Sequence, residues 1–306
     1  MGGKDLLRTL AVTGLLLVTA CSAADPNPDD RSEGSLRTEL TDTERVLLGD
    51  AEERLIAECM REAGFEYRLD PVAPREKVPE RRFGLDDVDW AREHGYGLAD
   101  TAGTGDRGGK SAAPKSSQDR YLAGLAPSRL AAYERALNGT KPDAIVVPAP
   151  GRGEIFTAAD GCRADARRAL YGDLRKWTEA KATVVNLAYL TYDDVVAEPR
   201  YTKALADWRA CMKKRGLDYP DTSRAVGAVA KESDSRTPEQ AREREVEVAV
   251  ADAECNRSAG LARTGTRLQK EHVRDAARRT YARQTRYYTQ AVTTALDRAR
   301  AVTETG

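Results

Sequence analysis

Two stretches of this chain, LIAECMREAGFEY (55–67) and ADWRACMKKRGLDYP (206–220), share one ungapped pattern: Cys-Met, a basic residue, two variable positions, Gly, an apolar residue, an acidic residue and Tyr. Apart from the initiator, Met60 and Met212 are the only methionines. The pattern constrains the fold because each part has a helical role. Val46, Leu47, Ala51, Leu55 and Met60 approximate one face of a helix over Thr43 to Ala63. Gly64 then stands where a helix ends in the left-handed conformation, which glycine adopts without a Cβ clash. Counting back places Met60 and Phe65 at the two positions whose side chains touch in a Schellman ending. Met212, Gly216 and Leu217 take the same roles in the second stretch. The motif therefore reads as a helix stop with a hydrophobic clasp beside a cysteine. A methionine-based copper site is the competing reading, and no neighbouring His or Met supports it.

A second matched pair, AADGCRADA (158–166) and ADAECNRSA (251–259), has an Asp two or three residues before Cys and a charged stretch of helical periodicity after it. The chain reads as two copies of one unit, a Cys-Met helix followed through a connection by a Cys-bearing long helix. The cysteines lie 103 positions apart in the first copy and 44 in the second, so the first copy carries an insertion of 59 residues.

The opening, MGGKDLLRTLAVTGLLLVTACS, has Lys4 and Arg8 before an apolar run from Thr9 to Ala20. That run is too short to span a bilayer, which takes about 20 apolar residues, and it suits a cleaved export signal. Val18-Thr19-Ala20-Cys21 resembles the lipobox of bacterial lipoproteins. The resemblance implies cleavage before Cys21, a diacylglyceryl group on its thiol and acylation of the new amine. Two or three acyl chains anchor stably where one does not. Residues 22–41 are polar, with two prolines, and read as a solvated tether.

Without Cys21, four cysteines remain in an exported chain: Cys59, Cys162, Cys211 and Cys255. An even count there points to two disulfides. No C-x₂₋₄-C spacing supports zinc. Duplication preserves bonds within a copy, so the expected pairs are Cys59–Cys162 and Cys211–Cys255.

Formal charge is zero, which gives no global case for nucleic acid as a partner. The ends differ: residues 22–70 hold 14 acidic and 6 basic side chains, residues 256–306 hold 11 basic and 4 acidic. These ends either pair across the fold or leave the basic end for an anionic envelope polymer. Tyr281, Tyr288, Val292, Ala295, Ala299 and Val302 form a heptad-like stripe suited to packing on another helix, with carbohydrate stacking on the tyrosines as the alternative. SRLAAYERALNG (128–139) reads as a short amphipathic helix stopped at Gly139, and Thr237-Pro238-Glu239 as a helix start. Residues 101–117 are low in complexity. Their Gly109-Lys110-Ser111 imitates a phosphate-binding loop but has Thr104 where that loop needs glycine.

No catalytic constellation stands out. His94 lies in a loop-like REHGYG context, His272 sits among charged residues on a helix surface, and neither accompanies a nucleophile or zinc-site pattern. Asp193-Asp194 reads as an ordinary exposed pair. No cofactor and no metal is expected.

The lipobox, the CM-x₃-G-[FL]-[ED]-Y motif, FGLDDVDWAREHGYG and YLAGLAPSRLAAYERALNG together resemble secreted or lipoprotein-type proteins of streptomycetes and related actinobacteria that carry no characterised activity. The 37 Arg against 12 Lys fit such a GC-rich source. The resemblance implies an envelope location and an all-helical, disulfide-bonded form. The expected architecture is all-α: signal peptide 1–20, tether 21–41, helical unit 42–195 with a loop-rich insertion at 68–150, and helical unit 196–306. The expected role is a non-enzymatic lipoprotein on the outer face of the cell membrane, its helical domain binding an envelope partner protein. A small-ligand-binding or sensor lipoprotein is the alternative, an envelope hydrolase a third, and secretion without an anchor the alternative location.

Overall fold

Thr41 opens the first helix with a reciprocal cap. Its hydroxyl accepts the Glu44 amide and the Glu44 carboxylate accepts the Thr41 amide, which satisfies two donors that a helix start leaves unpaired. The computed structural model describes residues 36–68, 81–98, 116–141 and 144–304. The expected signal peptide, Cys21, the tether as far as residue 35 and the Gly109-Lys110-Ser111 stretch lie outside the described residues. The tether's last residues, 36–41, belong to the folded body: the Arg37 amide donates to Thr289 Oγ1 at 2.9 Å, and Leu40 packs on a core.

In chain order the helices are α1 (Asp42–Glu62), α2 (Val88–His94), α3 (Ser117–Ala123), α4 (Pro127–Asn138), α5 (Cys162–Tyr171), α6 (Leu174–Leu190), α7 (Tyr192–Ala197), α8 (Pro199–Lys214), α9 (Thr222–Ser233), α10 (Pro238–Ala259), α11 (Leu261–Arg278) and α12 (Ala282–Glu304). A two-stranded antiparallel hairpin, β1 (Ile145–Ala149) with β2 (Gly153–Thr157), stands between α4 and α5. Among the described residues the fold is all-α apart from this hairpin, and both disulfides form as the duplication predicts. Cys59–Cys162 and Cys211–Cys255 have Cα separations of 5.5 and 5.6 Å, within the range that disulfide geometry requires.

The two Cys-Met joints are built alike. The Phe65 amide donates to the Met60 carbonyl and the Gly64 amide to the Arg61 carbonyl; Leu217 to Met212 and Gly216 to Lys213 repeat this pattern at 2.9–3.1 Å. These are the two bonds of a Schellman ending. Gly64 and Gly216 hold φ of 79° and 75°. Met60 and Met212 are fully buried and share a core with Phe65 and Leu217 respectively. A Cβ at Gly216 would meet nothing within 4 Å, so only the backbone conformation opposes a side chain there. Gly216→Ala is expected to lower stability by about 1 kcal/mol; an unchanged urea midpoint would refute the left-handed stop.

Copy two departs from copy one beyond this joint. Cys162 is the first residue of the ten-residue α5, whereas Cys255 lies near the end of the 22-residue α10. The expected long Cys-bearing helix is therefore present only in the second copy. Glycine at 161, with φ of 87°, starts α5 at the cysteine itself, and Gly172 stops it early.

Three cores form. The first joins Ile56, Met60, Phe65, Tyr133, Leu137 and Cys162 from α1, α4 and α5. The second joins α1, α6 and α12, with Leu48, Ala51, Trp177, Leu187, Tyr288, Val292 and Ala299. The third joins α2, α8, α9, α10 and α11 and includes Phe83, Leu85, Trp208, Met212, Val248 and Leu261. The expected stripe on α12 does face helices: Tyr288, Val292, Ala295 and Ala299 are buried, and Tyr281 and Val302 pack at its edges. The acidic and basic ends of the chain thus meet at α1 and α12, through apolar packing and the Arg37–Thr289 bond. The cores do not respect the expected unit boundary at 195. The insertion supplies α2 to the third core, and α12 packs on α1. The described residues form one compact unit.

The region expected to be loop-rich, 68–150, contains α2, α3, α4 and β1 among its described residues. His94 is the last residue of α2 rather than a loop residue. The hairpin has a visible cause in the β-branched run Ile145-Val146-Val147 and the Pro150-Gly151 turn, with Gly151 at φ of 73°.

Candidate functional site

The disulfide of copy two marks a site. One helical turn before Cys211 on α8 is Trp208, and one turn before Cys255 on α10 is Asp252. Their side chains meet: Trp208 Nε1 donates to Asp252 Oδ1 at 2.8 Å. The Tyr96 hydroxyl donates to the other carboxylate oxygen at 3.0 Å. Trp208 and Asp252 are fully buried and Tyr96 is 3 % exposed. Burial pushes the Asp252 carboxyl up to about 7, against the pull of the Trp208 and Tyr96 bonds, because a charge without solvent is costly. The Tyr96 hydroxyl is pushed far above its ordinary value by the same desolvation and by Asp252.

Tyr96 arrives from the insertion of copy one, so the site combines parts from both copies. Segment 81–98 is held to α10 by a buried polar stripe at positions 245, 252 and 256, one face of that helix. Glu245, 4 % exposed, accepts the Leu98 amide at 2.9 Å. Asn256 donates to the Phe83 carbonyl at 3.0 Å and accepts the Ala262 amide at 2.8 Å. Arg242 donates to the His94 carbonyl at 2.6 Å. Phe83 stacks on Tyr192 with centroids 5.8 Å apart and meets Tyr201 edge-on at 5.6 Å. Gly265 on α11 leaves room for it: a Cβ there would lie 2.3 Å from the Phe83 ring.

Above Asp252 opens a cleft of about 370 Å³. Arg81, Tyr96, Tyr192, Tyr201, Asp221 and Thr222 contribute to its wall, with Leu85, Val196, Leu205 and Val226 as apolar patches. The size is that of a small-ligand pocket. A second cleft, about 470 Å³, lies beside the joint of copy one, where the Tyr67 hydroxyl donates to Glu53 at 2.9 Å and is pushed up to about 12 by burial and by Glu53. Among the described residues, copy one has no counterpart of the Trp–Asp bond. Ile56 replaces Trp208 and packs in an apolar core, while Asp160 caps the chain outside, accepting from the Thr140 amide and hydroxyl.

The residues singled out from sequence divide clearly. Met60, Gly64, Phe65, Met212, Gly216 and Leu217 form the two structural joints, and the four cysteines the two staples. His94 stacks on Trp90 at 4.0 Å, His272 meets Glu198 at 3.2 Å, and Asp193 and Asp194 are exposed on α7. Among the described residues no group of three His, Cys, Asp or Glu side chains could hold a metal ion. Sequence reasoning missed Tyr96, Trp208, Glu245, Asp252 and Asn256. One signal was present: Asp252 stands within VEVAVADAECN, an acidic residue on the apolar face that leads to Cys255. Comparison with protein-family models, curated proteins and solved structures found no match.

Proposed function

We propose that this chain is a lipid-anchored extracytoplasmic protein that works by binding rather than by catalysis, with its helical domain recognising an envelope partner. The observation that carries the reading is the coexistence of two disulfides with a lipobox-like Cys21, since disulfides persist outside the reducing cytosol. Exposed apolar side chains at the hairpin and α6, Phe156, Val185 and Tyr189, supply contact area of the kind partner surfaces use. In the source cell, Cys21→Ser is expected to move the protein from the membrane fraction to the soluble fraction. Wild-type protein recovered without an anchor would sink the lipoprotein reading. Photo-crosslinking from position 189 is expected to capture one envelope protein reproducibly, and loss of the adduct in Val185→Asp would place the contact on this face.

A second reading, a small-ligand-binding or sensor lipoprotein, is favoured by one observation: the cleft above Asp252, whose polar groups converge from α2's segment, α9 and α10.

A further inference from the structure

The corner between α11 and α12 gathers five arginines, Arg274, Arg278, Arg279, Arg283 and Arg286, in a stretch with one carboxylate, Asp275. All five are exposed. Among the described residues only Arg283 has an ion-pair partner, Glu179 at 3.2 Å, and its side chain is still 81 % exposed. A pair as open as that contributes little. Set against Asp275 and Glu179, the five arginines leave the corner a balance of +3 in a chain whose formal charge is zero. The acidic N-terminal part does not neutralise it. Among the described residues no ion pair joins 36–68 to α11 or α12; Glu44 is held by Arg37 and Glu52 by Arg167.

The path of the chain decides which anion the corner meets. The described residues begin at Leu36, and the amide of the next residue, Arg37, is bonded to Thr289, one helical turn beyond Arg286. The start of α12 at Ala282 lies about 10 Å from Thr289 along the helix axis. The chain therefore enters the folded body beside the basic corner. Fifteen positions separate Cys21 from Leu36, a reach of at most about 50 Å when fully extended. Resting on the lipid-anchored reading, we propose that the α11–α12 corner docks on the anionic headgroups of the membrane that holds the anchor, and so turns one fixed face of the domain to the bilayer. Guanidinium groups match headgroup phosphates in charge and in hydrogen-bond geometry. A tethered body meets the surface at high effective concentration, so a patch too weak to hold an unanchored protein is enough to orient an anchored one.

The test is vesicle flotation at low salt with the chain expressed from Ser22, exported so that both disulfides form; it keeps the whole compact unit and carries no acyl group. The vesicles are phosphatidylcholine alone or with phosphatidylglycerol as a third of the lipid. Binding to the anionic vesicles is expected to be at least tenfold tighter and to weaken as salt is raised. The triple variant Arg278→Gln, Arg279→Gln, Arg286→Gln is expected to lose most of that difference. The triple variant Arg120→Gln, Lys213→Gln, Lys214→Gln, which removes the same charge from exposed positions elsewhere, is expected to keep it. Equal binding of the wild type to the two vesicle types would overturn the proposal. An equal loss in both triple variants overturns it as well, since net charge rather than the corner would then be at work. Binding to soluble polyphosphate with none to anionic vesicles would give the corner to a polymer instead. The anchor is decided separately by the fractionation of Cys21→Ser in cells, so either reading can fail while the other stands.

Discussion

Replacing Cys59 and Cys162 together by alanine is expected to cost about 5 kcal/mol, and replacing Cys211 and Cys255 about 4 kcal/mol. Both figures follow from the loops that the bonds close, 103 and 44 residues in sequence separation, because a cross-link removes chain entropy from the unfolded state and does so more for longer loops. Either loss is comparable to the whole stability of many domains. Alanine is the right replacement, since Cys162 and Cys255 are buried among apolar neighbours and a serine hydroxyl would add an unpaired polar group. Urea unfolding of the two double variants reads the effect directly. The order is the discriminating part: a larger loss at Cys211–Cys255 would mean that strain or the adjoining Trp208–Asp252 bond dominates over loop length.

Asp252→Asn is expected to change how stability depends on pH more than stability itself. A carboxyl that titrates near 7 in the fold and near 3.8 when unfolded favours the folded state in its protonated form. Between these values the native state holds a proton that the unfolded state has lost, so stability falls as pH rises. The contribution is complete below about pH 4 and is lost as pH passes through about 7, with a total on the order of 4 kcal/mol. Asparagine keeps a carbonyl oxygen for Trp208 Nε1 and turns the other atom into an amide that donates to the Tyr96 hydroxyl. It does not ionise. The variant should therefore match or fall slightly below the wild type at pH 4.5 and exceed it at pH 8. A difference between the two proteins that stays constant across urea titrations at pH 4.5, 6 and 8 would show that Asp252 ionises normally.

The part of this fold that is legible in sequence is the part governed by local rules. Gly64 and Gly216 announce helix ends because a left-handed residue is a local demand. Thr237-Pro238 announces a helix start for a similar reason: the Thr237 hydroxyl accepts the Gln240 amide, and proline at the first position loses nothing. The disulfides follow from repetition, and the α12 stripe from period alone. The site was hidden for the opposite reason. Tyr96 and Asp252 are 156 positions apart, and nothing local in REHGYG indicates that its tyrosine enters another unit's core. The α2 helix, inside the stretch expected to be loop-rich, was hidden in the same way. The α2 helix has only seven residues, too few to show a period, and it gains its stability from packing on α10 rather than from its own propensity.

The position of α12 also has a temporal meaning. The first long helix of the described chain, α1, shares its core with the last, and the Arg37 amide is bound by Thr289, 252 positions away. A chain delivered from its N-terminus, from a ribosome or through a membrane, presents α1 long before α12 exists beside it. Until then Leu48, Ala51 and Trp177 lack the helix that covers them. Such distant pairing folds slowly and leaves apolar surface open in the interval. The second core of this protein therefore closes only after α12 has emerged. Before that moment, the second core's share of the fold depends on whatever shields α1 and α6 in place of α12.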